Sequence, residues 1–200
     1  MLIAKKRINT RWLVNVSILS VIAFLIMYIE IPLWFAPSFL TIDLSDLPAL
    51  IGAFALGPMA GVVIEFLKNI LHAVIKGTTT VGVGELANFI VGSVFVYIAG
   101  YIYYKNKTFK NAIVGLMLGT LIMTLVASVA NYFILIPFYA KLYGMPIKAI
   151  IGMASKVNKY VVDLKSLVLF AIVPFNIVKG IMVSAITVLL YKKVSPIFKG

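Results

Sequence analysis

The sequence contains no cysteine, a single histidine (His72) and only six acidic residues among its 200 residues. The absence of cysteine excludes disulfides, thiolate metal sites and cysteine nucleophiles, and one histidine leaves little material for a zinc site or a Ser/His/Asp triad. No Gly-Lys dipeptide occurs, which excludes a P-loop and ATP hydrolysis by that route. We therefore expect no metal site, no cofactor and no enzyme activity. A membrane enzyme is the least favoured alternative.

Apolar residues are what the sequence has in excess. Hydrophobic side chains make up 62% of the chain and charged side chains 12%, and the mean hydropathy is +1.09. Soluble domains do not have this composition. The net charge is +12, but most basic residues lie at the ends of apolar runs, which is typical of membrane topology and not of nucleic-acid binding. We expect residues 1–200 to form one domain in the cell membrane.

Five apolar runs approach the roughly 20 residues that a helix needs to cross a bilayer. They are about Trp12–Ile29, Pro58–Ile75, Glu85–Tyr104, Asn111–Ile136 and Leu167–Tyr191. A sixth, shorter helix over Asp46–Leu56 is predicted by an acidic residue and a proline in its first turn and by the Gly57-Pro58 turn that follows. The alternative is that Gly57-Pro58 only kinks one long helix. The predicted fold is an all-α integral membrane protein with six transmembrane helices.

Six crossings would place both termini on one side of the membrane. The basic residues on that side would be Lys5, Lys6, Arg7, Arg11, Lys105, Lys107, Lys110, Lys192, Lys193 and Lys199. Fewer basic residues would lie on the other side, namely Lys76, Lys141, Lys148, Lys156, Lys159 and Lys165. Because cytoplasmic loops carry the excess of lysine and arginine, this distribution favours cytoplasmic termini.

Two of the outer loops are candidates for a lid over a binding site. The first outer loop, residues 30–45, is rich in aromatic residues, including Trp34 and Phe39. The fifth outer loop, residues 142–166, has apolar residues at helical spacing opposite several lysines, which predicts an amphipathic helix. The alternative is a solvated loop and an ordinary interfacial helix.

Polar side chains inside the apolar helices are informative because an unpaired polar group in a bilayer costs free energy. Asn176 and Lys179 are three residues apart and share one helix face, and Asn131 lies on the preceding long helix. These groups supply hydrogen-bond donors and carboxamides without a nucleophile and its base, which indicates recognition and not turnover. The alternatives are a helix–helix hydrogen bond for Asn131 and a structural ion pair of Lys179 with Glu65 or Glu30.

A second polar stripe runs along the third helix, through Glu65, Lys68, Asn69 and His72. We expect it to be structural, with a Glu65–Lys68 pair inside the helix and hydrogen bonds from the amide and the imidazole to neighbouring helices. Such a stripe could also belong to the ionisable relay of a self-sufficient secondary transporter. The sequence shows none of the internal repeats that such transporters commonly have.

Five short stretches occur in a fixed order: Ser45-Asp46-Leu47-Pro48-Ala49-Leu50, Gly57-Pro58-Met59-Ala60-Gly61, Glu65-Phe66-Leu67-Lys68-Asn69, Gly84-Glu85-Leu86-Ala87-Asn88-Phe89 and Pro174-Phe175-Asn176-Ile177-Val178-Lys179-Gly180. Together they resemble the substrate-binding S components of energy-coupling factor (ECF) transporters, most of all the riboflavin-specific member. The resemblance spans nearly the whole chain. It implies a high-affinity, membrane-embedded vitamin-binding subunit that works with a transmembrane coupling subunit and two ABC-type ATPase subunits.

The same resemblance implies a riboflavin site with contributions from helices four, five and six and from the first outer loop. The candidate residues are Asn131, Asn176, Lys179, Glu85, Asn88, Thr41, Asp43 and Trp34. Two amides and an ammonium suit the edge of a flavin ring, where carbonyls flank an N–H group. Riboflavin would be a transported ligand, not a cofactor. The alternatives are an S component for another vitamin and a self-sufficient secondary transporter of a small heteroaromatic solute.

Overall fold

The computed structural model describes residues 9–37, 40–78 and 80–199, with only the helical backbone described for residues 191–199. Within these residues, five helices are long and apolar enough to cross a membrane: Thr10–Met27, Pro58–Ile75, Val83–Lys105, Phe109–Leu142 and Leu164–Leu190. Phe39 of the predicted aromatic loop and the predicted cytoplasmic cluster of Lys5, Lys6 and Arg7 lie outside the described residues.

Helices and one short pair of strands make up the described secondary structure. The helices are α1 (Thr10–Met27), α2 (Asp46–Leu56), α3 (Pro58–Ile75), α4 (Val83–Lys105), α5 (Phe109–Ala130), α6 (Ile136–Leu142), α7 (Ile147–Ser155), α8 (Leu164–Leu167) and α9 (Val173–Lys199). A π-helical turn, Asn131–Leu135, joins α5 to α6, and a second, Val168–Ile172, joins α8 to α9. The antiparallel strands are β1 (Ile31–Pro32) and β2 (Thr41–Ile42). The predicted fifth helix therefore continues past Ile136 to Leu142.

The break between α2 and α3 is a turn, as predicted, and not a kink in one helix. Gly57 has φ +108°, a conformation that L side chains rarely adopt, and α3 starts at Pro58, where proline needs no N–H partner. The two helices then pack closely at Gly61. A Cβ atom at that position would lie 2.8 Å from the Cβ of Ala53 and 3.0 Å from the carbonyl oxygen of Ala49.

Helix α2 lies in the middle of the bundle. It has 11 residues, and nine of them, from Asp46 to Phe54, are buried. Leu50 and Phe54 are fully buried in the main apolar core, together with Ile64 of α3 and Phe95 of α4. This packing holds the N-terminus of α2, which carries Asp46, beside the residues that line the candidate site.

Each π-helical turn is followed, after one intervening residue, by a proline, Pro137 in one case and Pro174 in the other. Proline has no N–H group to donate, and its ring clashes with the carbonyl four residues earlier, so a regular α-helix cannot pass through it unchanged. At Pro174 the carbonyl affected is that of Phe170. The side-chain amide of Asn158 donates to this oxygen at 3.0 Å, which ties the segment after α7 to the start of the last long helix.

The fifth outer loop contains less helix than the amphipathic pattern predicts. Only α7 is helical between Leu142 and Asp163, because Gly144, at φ +61°, and Pro146 end the preceding helix, and the chain after Ser155 forms turns. The apolar face of α7 packs inward, with Ile150 and Ala154 buried.

Candidate ligand-binding site

A cavity of about 640 Å³ lies between α4, α5, α9, the first outer loop and the segment from α6 to α7. Its size falls in the range of roughly 300–1,000 Å³ that is usual for small-molecule sites. The wall is formed largely by apolar side chains, among them Val91, Leu135 and Phe175. A few polar groups from different elements face the same space, which is the arrangement that fixes the orientation of a bound ligand.

Six of the eight predicted residues line this cavity. They come from the first outer loop, α4, the π-helical turn after α5, and α9: Thr41, Asp43, Asn88, Asn131, Asn176 and Lys179. The fold therefore brings residues from four parts of the chain together around one space. Asn88 lies within α4, and its side chain forms no hydrogen bond with the other described residues. That these residues contact a ligand stays a prediction.

The two amides in helices share one geometry. The side-chain nitrogen of Asn131 donates to the carbonyl oxygen of Ala127, and that of Asn176 donates to the carbonyl oxygen of Ile172, both at 2.8 Å. Each bond lies within the residue's own helical segment, so the described structure does not contain the alternative predicted for Asn131, a bond between helices. A carboxamide has two N–H donors and one oxygen acceptor. One donor and the acceptor of each amide are therefore left to serve a ligand.

Lys179 forms ion pairs at the edge of the cavity. Its Nζ atom lies 3.1 Å from Oδ2 of Asp46 and 3.5 Å from Oδ2 of Asp43. The predicted alternative partners, Glu65 and Glu30, were therefore wrong. The Lys179 side chain is nevertheless 12% exposed and remains part of the cavity wall. Pairing lowers the cost of placing an ammonium deep in an apolar bundle without removing it from the site.

Asp43 faces the cavity from the first outer loop. Its Oδ1 atom accepts a hydrogen bond from the backbone N–H of Ser45 at 2.9 Å, which fixes the turn that leads into α2. Burial raises the pKa of Asp43, but the charges of Lys179 and Lys68 together with the hydrogen bond from Ser45 outweigh this effect and hold the pKa below its usual range. Asp43 is therefore ionised at neutral pH.

The polar stripe of α3 is structural, as expected. Lys68 is fully buried, and its Nζ atom lies 2.5 Å from Oδ1 of Asp46, 2.9 Å from the Glu65 carboxylate and 2.8 Å from Oγ of Ser45. The amide of Asn69 donates to the backbone oxygen of Glu65, within its own helix and not to a neighbouring helix as predicted. Ion pairs join five charged residues into one group, which we call the ion cluster: Asp43, Asp46, Glu65, Lys68 and Lys179.

Two of the predicted residues do not line the cavity. Glu85 accepts hydrogen bonds from the hydroxyls of Thr78 at 3.0 Å and Thr80 at 3.3 Å, and one of its oxygens lies 3.5 Å from Nδ1 of His72. Glu85 contacts the cavity wall through Thr80, which lines the cavity. Trp34 is 88% exposed and stacks edge-to-face on Phe35, away from the cavity.

The sequence reasoning missed one wall of the cavity. Tyr139 of α6, Met145 in the following turn, and Ile150 and Met153 of α7 line it. The amphipathic pattern of the fifth outer loop contained a signal for this wall, since apolar residues at helical spacing form one face of a helix that must be covered by protein or lipid. Asp46 was also missed as a partner of Lys179. It follows Asp43 at helical spacing, but we interpreted it only as the acidic start of α2.

The cavity offers donors and acceptors for recognition, and it lies among helices long and apolar enough to cross a membrane. A family model described as "ECF transporter, substrate-specific component" matches residues 11–191. The chain belongs to this family. It is therefore a multi-pass membrane protein and a component of a transporter, not an enzyme.

Individual relatives agree with this assignment. The chain is 38% identical over 187 residues to riboflavin transporter RibU of Staphylococcus aureus. The aligned region covers 94% of this chain and 92% of the relative. The chain is 37% identical over 185 residues to riboflavin transporter FmnP of Bacillus subtilis, with 92% of each chain covered. A solved structure of the S component of a bacterial ECF transporter superposes with a TM-score of 0.73 at 35% identity, covering 95% of this chain and 98% of that one.

Proposed function

We propose that this chain binds riboflavin within the membrane and mediates its uptake as the substrate-specific component of an ATP-driven ECF transporter. The observation that carries the proposal is that Asn131, Asn176 and Lys179 converge on the wall of one cavity of about 640 Å³. Relatives that match over almost the full chain and are named riboflavin transporters support the same ligand.

The chemistry of the three residues matches the polar edge of a flavin. That edge has carbonyl groups on either side of an N–H group, so it needs both donors and an acceptor. The free N–H of each amide and the Lys179 ammonium serve the carbonyls, and an amide oxygen accepts from the N–H. The apolar wall, with Phe175 and Leu135, covers the flat ring and excludes water from it.

We propose that the remaining lining residues hold the rest of the vitamin. Asn88 of α4 and Thr41 and Asp43 of the first outer loop offer polar groups to the ribityl hydroxyls. Glu85 would reach the ligand only if its hydrogen bonds from Thr78 and Thr80 gave way, so its role is the weaker part of the site. Trp34 faces away, and we assign it no contact.

Binding of flavin to the purified protein tests the proposal. Protein extracted in detergent should show visible flavin absorption or quench the fluorescence of added riboflavin on titration. Asn176→Ala and Lys179→Ala should each weaken binding about 5- to 150-fold, which corresponds to roughly 1–3 kcal/mol for polar ligand atoms left unmatched.

Matched controls for the two residues are Asn106→Ala and Lys110→Ala, because both side chains are exposed and lie away from the cavity. They should bind riboflavin as the native chain does. Unchanged affinity in both cavity variants would overturn the site. A competition series with other neutral heteroaromatic vitamins tests the choice of ligand, since a tighter competitor would assign the same cavity to that vitamin.

We propose that energy for release comes from partner subunits, a transmembrane coupling subunit and two ABC-type ATPases. The buried charges of α3, which could have formed an ion relay, are instead paired with one another in the ion cluster. Liposomes with the chain alone should take up no riboflavin, and uptake should need ATP and the added partner subunits. Uptake by the chain alone, driven by an ion gradient, would contradict this proposal and indicate a secondary transporter.

We propose that residues 1–200 form one domain with six crossings, α2 being the sixth, and that both termini are cytoplasmic. At about 1.5 Å per residue, α2 is roughly 16 Å long, so it spans only a protein-lined part of the membrane. Because the native chain has no cysteine, single-cysteine variants report topology without background. An impermeant maleimide added to cells should label Lys165→Cys and should not label Lys107→Cys. The opposite pattern would invert the orientation.

A further inference from the structure

Asp46 links the ligand cavity to the buried interior of the bundle. Its carboxylate is shared between two ammonium groups: Oδ2 lies 3.1 Å from Nζ of Lys179, and Oδ1 lies 2.5 Å from Nζ of Lys68. Asp46 itself is 1% exposed and does not line the cavity, whereas Lys179 does. A ligand that contacts Lys179 would therefore meet an ammonium group that is held by Asp46, a buried residue outside the cavity wall.

The hydrogen-bond donors of the Lys179 ammonium group are not all used within the described part of the protein. An ammonium group has three N–H donors. Asp43 accepts one of them at 3.5 Å, whereas Asp46 Oδ2 is an ion-pair partner at 3.1 Å that does not accept a hydrogen bond from the described residues. Donors are therefore left for the open side, which is the cavity. A lysine side chain is long and flexible, so holding its end in advance reduces the ordering cost that a ligand would otherwise meet on binding.

Asp46 is better suited than Asp43 to hold this ammonium. Asp43 lies on the first outer loop, faces the cavity and is farther from Lys179, at 3.5 Å. Asp46 lies in the first turn of α2, a helix enclosed by the core, and is anchored by Lys68, which in turn contacts Glu65. Side chains supported by a second layer of buried partners hold a site in its productive geometry.

We propose that Asp46 is a positioning residue for ligand binding, which fixes the Lys179 ammonium in the cavity wall while Lys68 fixes Asp46. The inference rests on the proposed function, because riboflavin is the probe that reports on Lys179. It extends the site beyond the residues that line the cavity. It also gives the buried charges of α3 a role in binding in addition to their structural one.

A double-mutant cycle tests this role. Riboflavin affinity is measured for the native chain, Asp46→Asn, Lys179→Met and the double variant by quenching of flavin fluorescence. If Asp46 acts through Lys179, Asp46→Asn should weaken binding on the order of 10-fold in the native background and less than about 2-fold in the Lys179→Met background. A general structural defect would weaken binding equally in both backgrounds, and that result would overturn the inference.

Asp46→Asn leaves Lys68 paired only with Glu65, which could prevent folding. The same double-mutant cycle is therefore repeated in a protein that carries Lys68→Met. In that protein Lys179 is the one remaining ammonium partner of Asp46 among the described residues, so Asp46→Asn removes a carboxylate from Lys179 alone. Asp163→Asn, which changes an exposed acid far from the cavity, should bind riboflavin as the native chain does. A native chain that binds no riboflavin would overturn the proposed function and, with it, this role of Asp46. Binding with equal losses in both backgrounds would overturn the positioning role alone.

Discussion

The side-chain amide of Asn158 donates a hydrogen bond to the backbone oxygen of Phe170 at 3.0 Å. Pro174 cannot donate to this oxygen, and a side chain from the turn after α7 supplies a donor. The bond connects the segment that carries one wall of the cavity to the helix that carries Asn176 and Lys179.

We expect Asn158→Ala to destabilise the protein by about 1 kcal/mol, because the hydrogen bond between the segment after α7 and the Phe170 oxygen is lost. Hydrogen exchange should also become faster in the turns that follow α7. Thermal unfolding and exchange mass spectrometry measure the two effects. Lys156→Ala, a nearby exposed change, is the control. Exchange that stays equally slow in Asn158→Ala would show that this bond does not hold the segment.

Gly61→Ala should destabilise the bundle by roughly 1–3 kcal/mol. The new methyl group would lie 2.8 Å from the Cβ of Ala53, so α2 and α3 would have to move apart. Gly152→Ala is a matched control, since a Cβ there meets no atom within 4 Å and alanine favours the helix by about 0.5–1 kcal/mol. Melting temperatures in detergent distinguish the two variants. A Gly61→Ala protein as stable as the native one would contradict the close packing.

Asn176→Asp should weaken riboflavin binding about 5- to 150-fold, or roughly 1–3 kcal/mol. The change keeps the shape of the side chain but replaces its donor by an acceptor that faces the carbonyl oxygen of Ile172, at 2.8 Å in the native protein. Titration of flavin fluorescence measures the effect, with Asn106→Asp as the exposed counterpart. Equal affinity in Asn176→Asp would mean that the ligand does not depend on the amide donor.

The ion pair between Glu30 and Lys76 should make a small, pH-dependent contribution to stability. The hydrogen bond from Lys76 at 2.8 Å lowers the pKa of Glu30 below its usual value of 4.5. A carboxylate with a lowered pKa stabilises the fold above its usual pKa, and this stabilisation is lost as the pH falls through the lower value. Both side chains are more than a third exposed, so the contribution is below about 1 kcal/mol.

Melting temperatures of the native chain and Glu30→Gln measure this contribution. The native chain should be slightly more stable at neutral pH, and the difference should shrink below pH 4.5 and vanish once the pH is below the lowered pKa of Glu30. Lys76→Gln should remove the same pH-dependent difference. A difference that persists in acid would assign the effect of Glu30→Gln to packing and not to charge.

The helices were predictable from sequence because each depends on local signals. Length and apolar composition identify α1 and α3, and a proline after an acidic residue together with the Gly57-Pro58 pair defines both ends of α2. The π-helical turns were not predicted, because a proline alone does not show how the chain accommodates it. The end of α6 was also missed, since the apolar pattern continues past Ile136 without a break.

The candidate site was predictable where polar residues stand out against apolar helices, as Asn131, Asn176 and Lys179 do. The partners of Lys179 were not, because ion pairs between distant segments depend on how helices pack, and sequence spacing gives no measure of that distance. The orientation of Trp34 was not predictable either, because the geometry of the first outer loop determines that its ring is 88% exposed and does not line the cavity.

The enclosure of α2 has a consequence for how the protein responds to its membrane. Hydrophobic mismatch acts on helices that meet lipid, which tilt when acyl chains lengthen or shorten. Nine of the 11 residues of α2 are covered by protein, so this helix has almost no lipid contact through which such a force could act. Changes in acyl-chain length should therefore reorient the helices that meet lipid, while α2 and the Asp46 carboxylate that it carries keep their place in the core.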